Sequence, residues 1–583
     1  MPVLLLLALA VQQTPNLTYR LTVDTADLGV LNVAMHISGS ADSFTVAAHA
    51  HPEYNDTYWR YLENMRAEGA RVVRRDSVLW QVTDAQDSVT LRYTIRLPAA
   101  EPPRAAWRAY LTPQGGVIGG PHSFLYVVGA ERAPASVQLQ LPAGWTAASA
   151  LRSNGGVLHA DSSFDLVESQ ILVGRLRQWT FNVADRPHHV FYLPGATPAP
   201  FDTTAFLDGI RRIVQETVNV FRDVHYQQYY FLLADDAYGG LEHANSAVLG
   251  APSRELAEDP DALAREFAHE FFHTWNLMRI RPAEYRGVDY RVQPPVPTLW
   301  FSEGLSIFYS DVLRRRAGFA MTEPTRIAHL QGLVMRYLND PAYQRYSAER
   351  ISSVAYNAEP GTLANSAPSA HLIGEVVASM LDLIIRDRTD GLRSMDDLMR
   401  LMNEQHARSR FTGADLQTAA ESACSCTLQD FFDGHVRGAR RLDFDRYLAP
   451  FGMRVAATRE RATNAAGEPE RDFRIRAWQP TPQDTLRLLL FHEASIWSLA
   501  GLRTNDRVLA VNNSAIRTWP ELRAVITGAP LGSTLSFDVV RSGQRLQVPV
   551  RVTGFERMRV EISALPNANA RQLRLREQWL STN

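Results

Sequence analysis

The segment His269-Glu270-Phe271-Phe272-His273 is the most informative stretch of this sequence. It follows Asp259-Pro260-Asp261, in which a capping residue precedes a proline at the first helical position and an early acid. With the apolar periodicity around them, these residues predict a helix over 260–277. Because residues four apart lie on one helix face, the helix would present the imidazoles of His269 and His273 side by side.

Two imidazoles at this spacing can bind one Zn²⁺, and Glu270 would project beside them. A carboxylate there can take a proton from metal-bound water, whose pKa zinc lowers towards ~7, and pass it to a leaving amine. The alternative is a pair of core histidines on an amphipathic helix. Catalytic zinc usually keeps three protein ligands and one open position, so the zinc interpretation requires a third ligand.

Glu303 is the candidate third ligand. It follows Trp300 and lies in the expected first turn of an apolar-periodic helix predicted over 301–317. Burying a carboxylate among aromatic residues is costly without a cation or a hydrogen-bond partner, and zinc would supply one. The alternative is an acid placed near a helix N-terminus, where the helix dipole favours negative charge.

A second motif, Gly239-Gly240-Leu241-Glu242-His243, lies upstream of the predicted zinc helix. It belongs to a β insertion that begins with a strand-like run at 228–233 and continues as an extended stretch through Leu249. Glycines would let a substrate backbone approach an exposed strand closely, and Glu242 could hold a substrate α-ammonium group.

Together these motifs resemble the glycyl aminopeptidase family of zinc metallopeptidases. The matching stretches are GGLEHANS at 239–246, HEFFHTWNLMRIRP at 269–282, LWFSEGLSIFYSD at 299–311 and LDLIIRDRT at 381–389. The family consists of gluzincins with a β-rich N-terminal domain, a thermolysin-like catalytic domain and a PDZ domain. The resemblance implies one zinc ion per chain held by His269, His273 and Glu303, with Glu270 as the general base. It also implies that Glu242 anchors the substrate N-terminus beside Gly239 and Gly240.

One stretch departs from the family pattern. In the family, a Tyr two residues before a Lys-Gly pair donates a hydrogen bond to the oxyanion, and loss of such a donor can cost about a hundredfold in rate. Here His371 stands at the Tyr position and Ile373 at the Lys position, before Gly374. His371 could donate through a ring N–H, or Tyr356 on the preceding loop could be the donor; the sequence leaves both open.

The chain as a whole is predicted to be an α+β multidomain protein. Period-two alternation indicates an N-terminal antiparallel β-sandwich, and a Pro-rich linker at 194–200 precedes a mainly α, thermolysin-like catalytic domain. The tail resembles a PDZ domain, with Asn505 where a turn glycine is usual; it could capture peptides or dock structurally. The predicted domain boundaries are 13–195, 200–455 and 470–556.

Composition narrows the function further. The 583 residues include 60 basic and 62 acidic ones, and every basic residue is arginine. The absence of lysine excludes Schiff-base lysines, P-loops and kinase-type ATP sites. A net charge of −2 argues against a nucleic-acid partner. The two cysteines, Cys424 and Cys426, are interpreted as separate thiols, with a strained local disulfide as the alternative.

The N-terminus has an apolar run at 3–10 and an Ala8-Leu9-Ala10 sequence without a basic region before it. We interpret residues 1–12 as an export signal, which implies the bacterial periplasm or the extracellular space; the alternative is an apolar lead into the first strand. No other run approaches the ~20 apolar residues of a membrane span.

The sequence therefore predicts a zinc aminopeptidase acting on peptide or protein substrates, with a preference for small residues such as Gly. The competing hypothesis is a peptide-binding scaffold with impaired turnover, acting through its PDZ and β domains. The sequence carries no signal for an oligomeric state.

Overall fold

The computed structural model describes residues 14–49, 58–97, 104–285, 291, 294–319, 322–356, 359–479 and 484–581. It contains two compact units, the first comprising residues 1–279 and 286–294 and the second residues 280–285 and 295–583. The predicted export signal, residues 1–12, lies outside the described residues. None of the described helices is long and apolar enough to cross a membrane.

The N-terminal part of the first unit is a β-sandwich. Its core is shared by one seven-stranded and two four-stranded sheets, because alternate residues of their strands point into one apolar cluster. The seven-stranded sheet has the order Arg152–Asn154, Val157–Ala160, Ala135–Gln140, Asn16–Val23, Val30–Ser38, Ser88–Arg96 and Leu62–Glu68. The smaller sheets contain Thr146–Ala148, Gln170–Gly174, Gly115–Gly119 and Tyr110–Leu111, and Tyr126–Val127, Phe44–Ala47, Leu79–Thr83 and Arg71–Arg74.

The prediction of a wholly antiparallel sandwich is wrong in one place. Strands Asn16–Val23 and Ala135–Gln140 run parallel, with Leu17 opposite Ala135. Period-two alternation reports which face of a strand is buried but not its direction. These two strands are not joined by a hairpin, so no turn signal fixes their direction.

A mixed five-stranded sheet follows in the first unit. Its order is Arg177–Val183, Arg186–Leu193, Tyr229–Ala234, Ser246–Gly250 and Gly240–His243. The helix Thr203–Phe221 connects the second strand to the third, which runs parallel to it, as a crossover connection requires. The sheet therefore contains strands from both sides of the predicted boundary at 195. A short ribbon pairs Ala237–Tyr238 with Arg104–Ala105.

The helix carrying the histidine motif is shorter than predicted. It spans Ala264–Phe272, which we call the His269 helix, and Leu263 provides no side-chain cap. The carboxylate of Asp259 instead accepts a hydrogen bond from the backbone N–H of Asp261, which closes a local turn. Short polar side chains compete in this way with helix initiation, so a capping sequence can form a turn. Shorter helices of this unit are Gly120–Ser123, Ser163–Val167 and Ser253–Glu258.

The first part of the second unit is helical, and a β-sheet region follows it before a last helix, Ala570–Leu580. Two long helices are central to the site, Leu299–Arg316, the Glu303 helix, and Ala370–Arg388, the His371 helix. Both begin earlier than the helices predicted at 301–317 and 378–387. The remaining helices are Glu323–Asn339, Ala348–Ser353, Met395–His406, Gly413–Cys424, Gln429–Phe431, Phe444–Leu448, Ile496–Leu499, Trp519–Gly528 and Ala570–Leu580.

The Glu303 and His371 helices pack with their backbones in contact. An ideal Cβ on Gly304 would lie 2.2 Å from the Cα of Gly374, and one on Gly374 would lie 2.0 Å from the carbonyl oxygen of Trp300. Real side chains do not approach this closely. The crossing therefore requires glycine at both positions.

The C-terminal region forms a second core around a six-stranded sheet. Its strands are Ile475–Trp478, Arg487–Leu490, Arg507–Val511, Ser514–Ala515, Thr534–Arg541 and Gln544–Arg551, and a ribbon of Met453–Arg461 and Glu556–Ala564 accompanies it. Asn505 has a φ of 72°, the left-handed conformation that the sequence predicts there. Elsewhere in this unit the prediction of separate thiols is wrong, because Cys424 and Cys426 form a disulfide.

We expect Gly374→Ala to destabilise the protein, because overpacking a close contact typically costs about 1–3 kcal/mol and the facing atoms here are backbone. Gly332→Ala is the matched control, since a Cβ there meets no atom within 4 Å on the helix Glu323–Asn339. The control should be neutral or stabilising by up to ~1 kcal/mol. Urea unfolding of both variants measures the difference, and equal midpoints would contradict the packing argument.

Candidate active site

The two motif histidines face each other at the C-terminal end of the His269 helix. Their Nε2 atoms lie 3.1 Å apart. His273 is almost completely buried, with 1% of its surface exposed, and Glu270 is also buried at 6%. The i,i+4 spacing therefore places both imidazoles on one face, as predicted, although the helix ends at Phe272 and His273 is its C-cap.

The orientation of His273 is fixed by its own backbone. Its Nδ1 lies 2.9 Å from the carbonyl oxygen of Asn276, which can only accept a hydrogen bond. Nδ1 must therefore carry the proton, and Nε2 keeps its lone pair for a metal, as is usual for a histidine ligand. The next residue, Leu277, has a φ of 107°, an uncommon conformation for a branched residue that turns the chain after this carbonyl.

The two glycines of the upstream motif make room for side chains of the protein itself. A Cβ on Gly240 would lie 2.6 Å from the Cγ of Glu270, so this carboxylate rests directly on the Gly240 backbone. Gly239 has a φ of 69°, and a Cβ there would lie 2.8 Å from the ring of Trp107. Sequence reasoning assigned these glycines to substrate approach and did not predict Trp107.

Glu242 lies on the edge strand Gly240–His243 and is 5% exposed. It is paired across the ladder with Ala247. Burial raises the pKa of Tyr229 well above its usual value, and the charges of Glu270 and Glu242 raise it further. The phenol therefore stays protonated, and both carboxylates lie close enough to act on the same group.

Glu303 is the fifth residue of the helix Leu299–Arg316 and is 5% exposed. The helix begins at Leu299, so Glu303 is past the first turn, and the alternative of an acid stabilised at the helix N-terminus loses its basis. Its Oε1 accepts a hydrogen bond from the hydroxyl of Tyr356 at 2.9 Å, and its Oε2 lies 3.0 Å from Nε2 of His371. Both candidate oxyanion donors thus contact the same carboxylate.

A group of side chains suited to a metal ion comprises His269, His273 and Glu303. One ligand atom from each lies within 4.8 Å of the others. Two imidazole nitrogens and one carboxylate oxygen are a typical zinc donor set with an open fourth position. The donor chemistry therefore fits the metal that the sequence predicts.

From the sequence, Asp311 and His243 are the candidate side chains for orienting the imidazoles. The charge of Asp311 acts on the buried guanidinium groups of Arg315 and Arg326, whose pKa values burial lowers and the Asp311 charge raises. The acceptor that orients His273 is a backbone carbonyl. No side-chain pattern could have signalled it.

The chain matches two models of one protein family. Residues 263–377 match the M61 glycyl aminopeptidase domain, and residues 18–175 match the peptidase M61 N-terminal domain. The first match includes both histidines, Glu303 and His371. The second covers the sandwich up to its last strand.

Solved structures resemble this chain over most of its length. An aminopeptidase N family protein from Idiomarina loihiensis has a TM-score of 0.73 at 19% identity, covering 97% of this chain and 100% of that one. A variant M1 zinc metallopeptidase from Deinococcus radiodurans, bound to a Tyr-Ser-Ala substrate, has a TM-score of 0.44 at 16% identity, covering 74% and 96%. The first likeness shows a shared fold. None of the curated proteins matches this chain.

We expect His273→Ala and Glu303→Ala each to weaken Zn²⁺ binding by more than the ~10–100-fold typical of losing an outer partner, because each removes a ligand. Glu270→Gln should bind Zn²⁺ normally. His329→Ala is the histidine control, since His329 pairs with Glu375 and lies outside the metal group. Competition with a fluorescent chelator measures the affinities. Undiminished binding by both ligand variants would contradict the assignment.

Proposed function

This chain belongs to the M61 glycyl aminopeptidase family, whose two domains it carries, and we propose that it is a zinc-dependent aminopeptidase. It would remove single residues from the N-terminus of peptides, with a preference for small residues such as Gly. The observation that carries the proposal is the grouping of His269, His273 and Glu303, with Glu270 adjacent in the motif. A substrate carbonyl and a water molecule could share the open position.

In the proposed site His269, His273 and Glu303 would hold one zinc ion, which would supply Lewis acidity toward the scissile carbonyl and the attacking water. Glu270 takes the proton from that water and delivers it to the leaving amine. Contact with Gly240 restricts the positions that the Glu270 carboxylate can adopt, so the proposed general base is held in place. Asn276 keeps His273 in the tautomer that a ligand needs.

Glu242 binds the substrate α-ammonium in this proposal. It is a buried carboxylate on an edge strand, where an extended peptide can add as a further strand. Trp107 packs on Gly239 and meets Tyr238 edge-on, with ring centroids 6.4 Å apart. Two large rings beside the strand leave little room for a bulky side chain, which supports the preference for small residues.

Tyr356 is the principal oxyanion donor in this proposal, and His371 assists it. A tyrosine hydroxyl donates at every pH below its pKa of ~10. The side chain of His371 is 45% exposed, so water weakens any hydrogen bond that it makes. Tyr356 is only partly exposed, and its hydroxyl, which donates to the proposed zinc ligand Glu303 in this structure, would donate to the oxyanion instead once a substrate is bound.

Two further features belong to the proposal. We propose that the C-terminal sheet is PDZ-like, supported by the left-handed Asn505 and the helix Trp519–Gly528. Residues 1–12 would direct export to the bacterial periplasm or the extracellular space. Neither peptide binding by this sheet nor export enters the proposed proton-transfer steps.

Glu270→Gln should lower kcat by about 10²–10⁴-fold, the usual contribution of a general base, while zinc content stays at one per chain. Glu266→Gln is the matched control, because Glu266 lies on the same helix and is only half-buried. The measurement is hydrolysis of an aminoacyl-p-nitroanilide panel, with N-acetylated versions of each substrate.

The acetylated substrates test the requirement for a free amine. An aminopeptidase leaves them intact, whereas an endopeptidase cleaves both sets. A zinc-loaded wild type that turns over no free-amine substrate would instead support the peptide-binding scaffold. That outcome would remove the aminopeptidase proposal.

Tyr356→Phe should lower kcat by about a hundredfold, because it deletes the proposed oxyanion donor and leaves the ring in place. His371→Ala should lower kcat by about tenfold, since an exposed donor contributes less. Steady-state kinetics on the preferred p-nitroanilide measures both values. If His371→Ala leaves kcat unchanged, His371 has no oxyanion role, and if Tyr356→Phe does so, the principal assignment is wrong.

A further inference from the structure

The segment of residues 359–369 carries the chain into the His371 helix. It begins three residues after Tyr356, and its last residue, Ser369, caps the helix by accepting a hydrogen bond from the N–H of Leu372. His371 is the second residue of that helix. The placement of this segment therefore sets where the helix starts and where the His371 side chain begins.

Asn365 joins this segment to the C-terminal region. Its amide nitrogen donates to the hydroxyl of Ser498 and to the carbonyl of Leu502, each at 3.1 Å. Its amide oxygen accepts from the N–H of Thr504 at 2.9 Å. Asn365 is only 5% exposed, so these bonds are shielded from water. The nitrogen and the oxygen of the Asn365 side-chain amide thus both connect the segment 359–369 to the C-terminal region.

Leu502 and Thr504 belong to a loop of residues 501–506, and Asn505 of this loop makes a second connection to the segment 359–369. Its side-chain nitrogen donates to the carbonyl of Pro360 at 2.5 Å. Asn505 adopts a left-handed φ of 72°, which glycine would adopt without strain. An asparagine in place of the usual glycine therefore provides a hydrogen bond that glycine lacks.

The backbone beside Asn365 is held in an uncommon conformation. Ala364 has a φ of 53°, in the left-handed region that alanine rarely occupies. Such a conformation persists only where the surrounding structure determines it. The hydrogen bond from the Ala364 N–H to the Gly361 carbonyl, at 2.9 Å, and the adjacent hydrogen bonds of Asn365 can do so.

We propose that Asn365 and Asn505 are positioning residues of the active site, through which the 501–506 loop holds the segment 359–369 that leads into the His371 helix. The C-terminal sheet is then required for turnover, whether or not it also binds peptides. This role rests on the proposed peptidase function. Neither asparagine touches the substrate, and both act through the placement of the two donors.

The test compares Asn365→Ala and Asn505→Gly with Asn339→Ala in the full chain. Asn339 is a matched control, because its amide bridges a helix to the C-terminal ribbon in the same way, donating to the carbonyl of Met558 at 2.9 Å and accepting from its N–H at 2.7 Å. Asn505→Gly removes only a side chain and keeps a backbone conformation that glycine tolerates. Asn365→Asp keeps the acceptor for Thr504 and should give an intermediate effect.

We expect kcat to fall about tenfold or more in Asn365→Ala and Asn505→Gly, because small misplacements of catalytic groups are costly. KM should stay within about threefold of the wild-type value, and the zinc content should stay at one ion per chain, because these substitutions leave the binding groups in place. Asn339→Ala should lose as much thermal stability as Asn365→Ala and Asn505→Gly, but its kcat should stay within about twofold of the wild-type value. A kcat for both variants equal to that of the control would overturn the proposal.

A second measurement separates this role from the peptidase function itself. Amide hydrogen exchange at residues 369–373 should be faster in Asn365→Ala and Asn505→Gly than in wild type or Asn339→Ala. Unchanged exchange overturns the positioning role whatever the activity. If the wild type hydrolyses no peptide substrate, the peptidase function fails, and the exchange data still decide whether the loop holds the segment.

Discussion

The backbone contact between Gly304 and Gly374 is the constraint on which the catalytic part of the second unit depends. Glu303 immediately precedes one glycine, and His371 lies about one helical turn before the other. Because the helices touch without side chains between them, the carboxylate of Glu303 comes within 3.0 Å of the His371 imidazole. A larger residue at either crossing point would separate the helices and, with them, the proposed ligand and donor.

The same contact accounts for the departure at Ile373. The family pattern expects a lysine there, and the sequence alone offers no reason for an apolar residue when arginine is used throughout the chain. Ile373 is 4% exposed and precedes Gly374 at the crossing. Burying a charged side chain at this place would carry a considerable desolvation cost. The substitution therefore belongs to the packing of the helix pair.

The sequence predicts those parts of the fold that local chemistry determines. Apolar periodicity gives the central helices, and i,i+4 spacing places His269 and His273 on one face. The left-handed Asn505 follows from its position in a turn pattern. Each of these depends on residues close together in the chain, where propensity and spacing act directly.

Features that depend on distant chain segments or on backbone groups could not be predicted in this way. The Asn276 carbonyl that orients His273 has no side-chain signature. The parallel pairing of Asn16–Val23 depends on a strand far along the chain. The disulfide between Cys424 and Cys426 requires a specific local geometry that two cysteines in a sequence do not reveal.

Arginine in place of lysine has a structural use in the 501–506 loop. Arg541 donates from Nε and Nη2 to the two carboxylate oxygens of the buried Asp506, at 2.7 and 2.6 Å, and Nη2 also reaches the carbonyl of Gly501 at 2.8 Å. Asp506 in turn accepts from the N–H of Arg503. A lysine ammonium lacks the planar fork that makes the paired contact with a carboxylate. These bonds hold the loop at both ends. The backbone N–H of Thr504 and the side-chain amide of Asn505 therefore donate from a rigid loop.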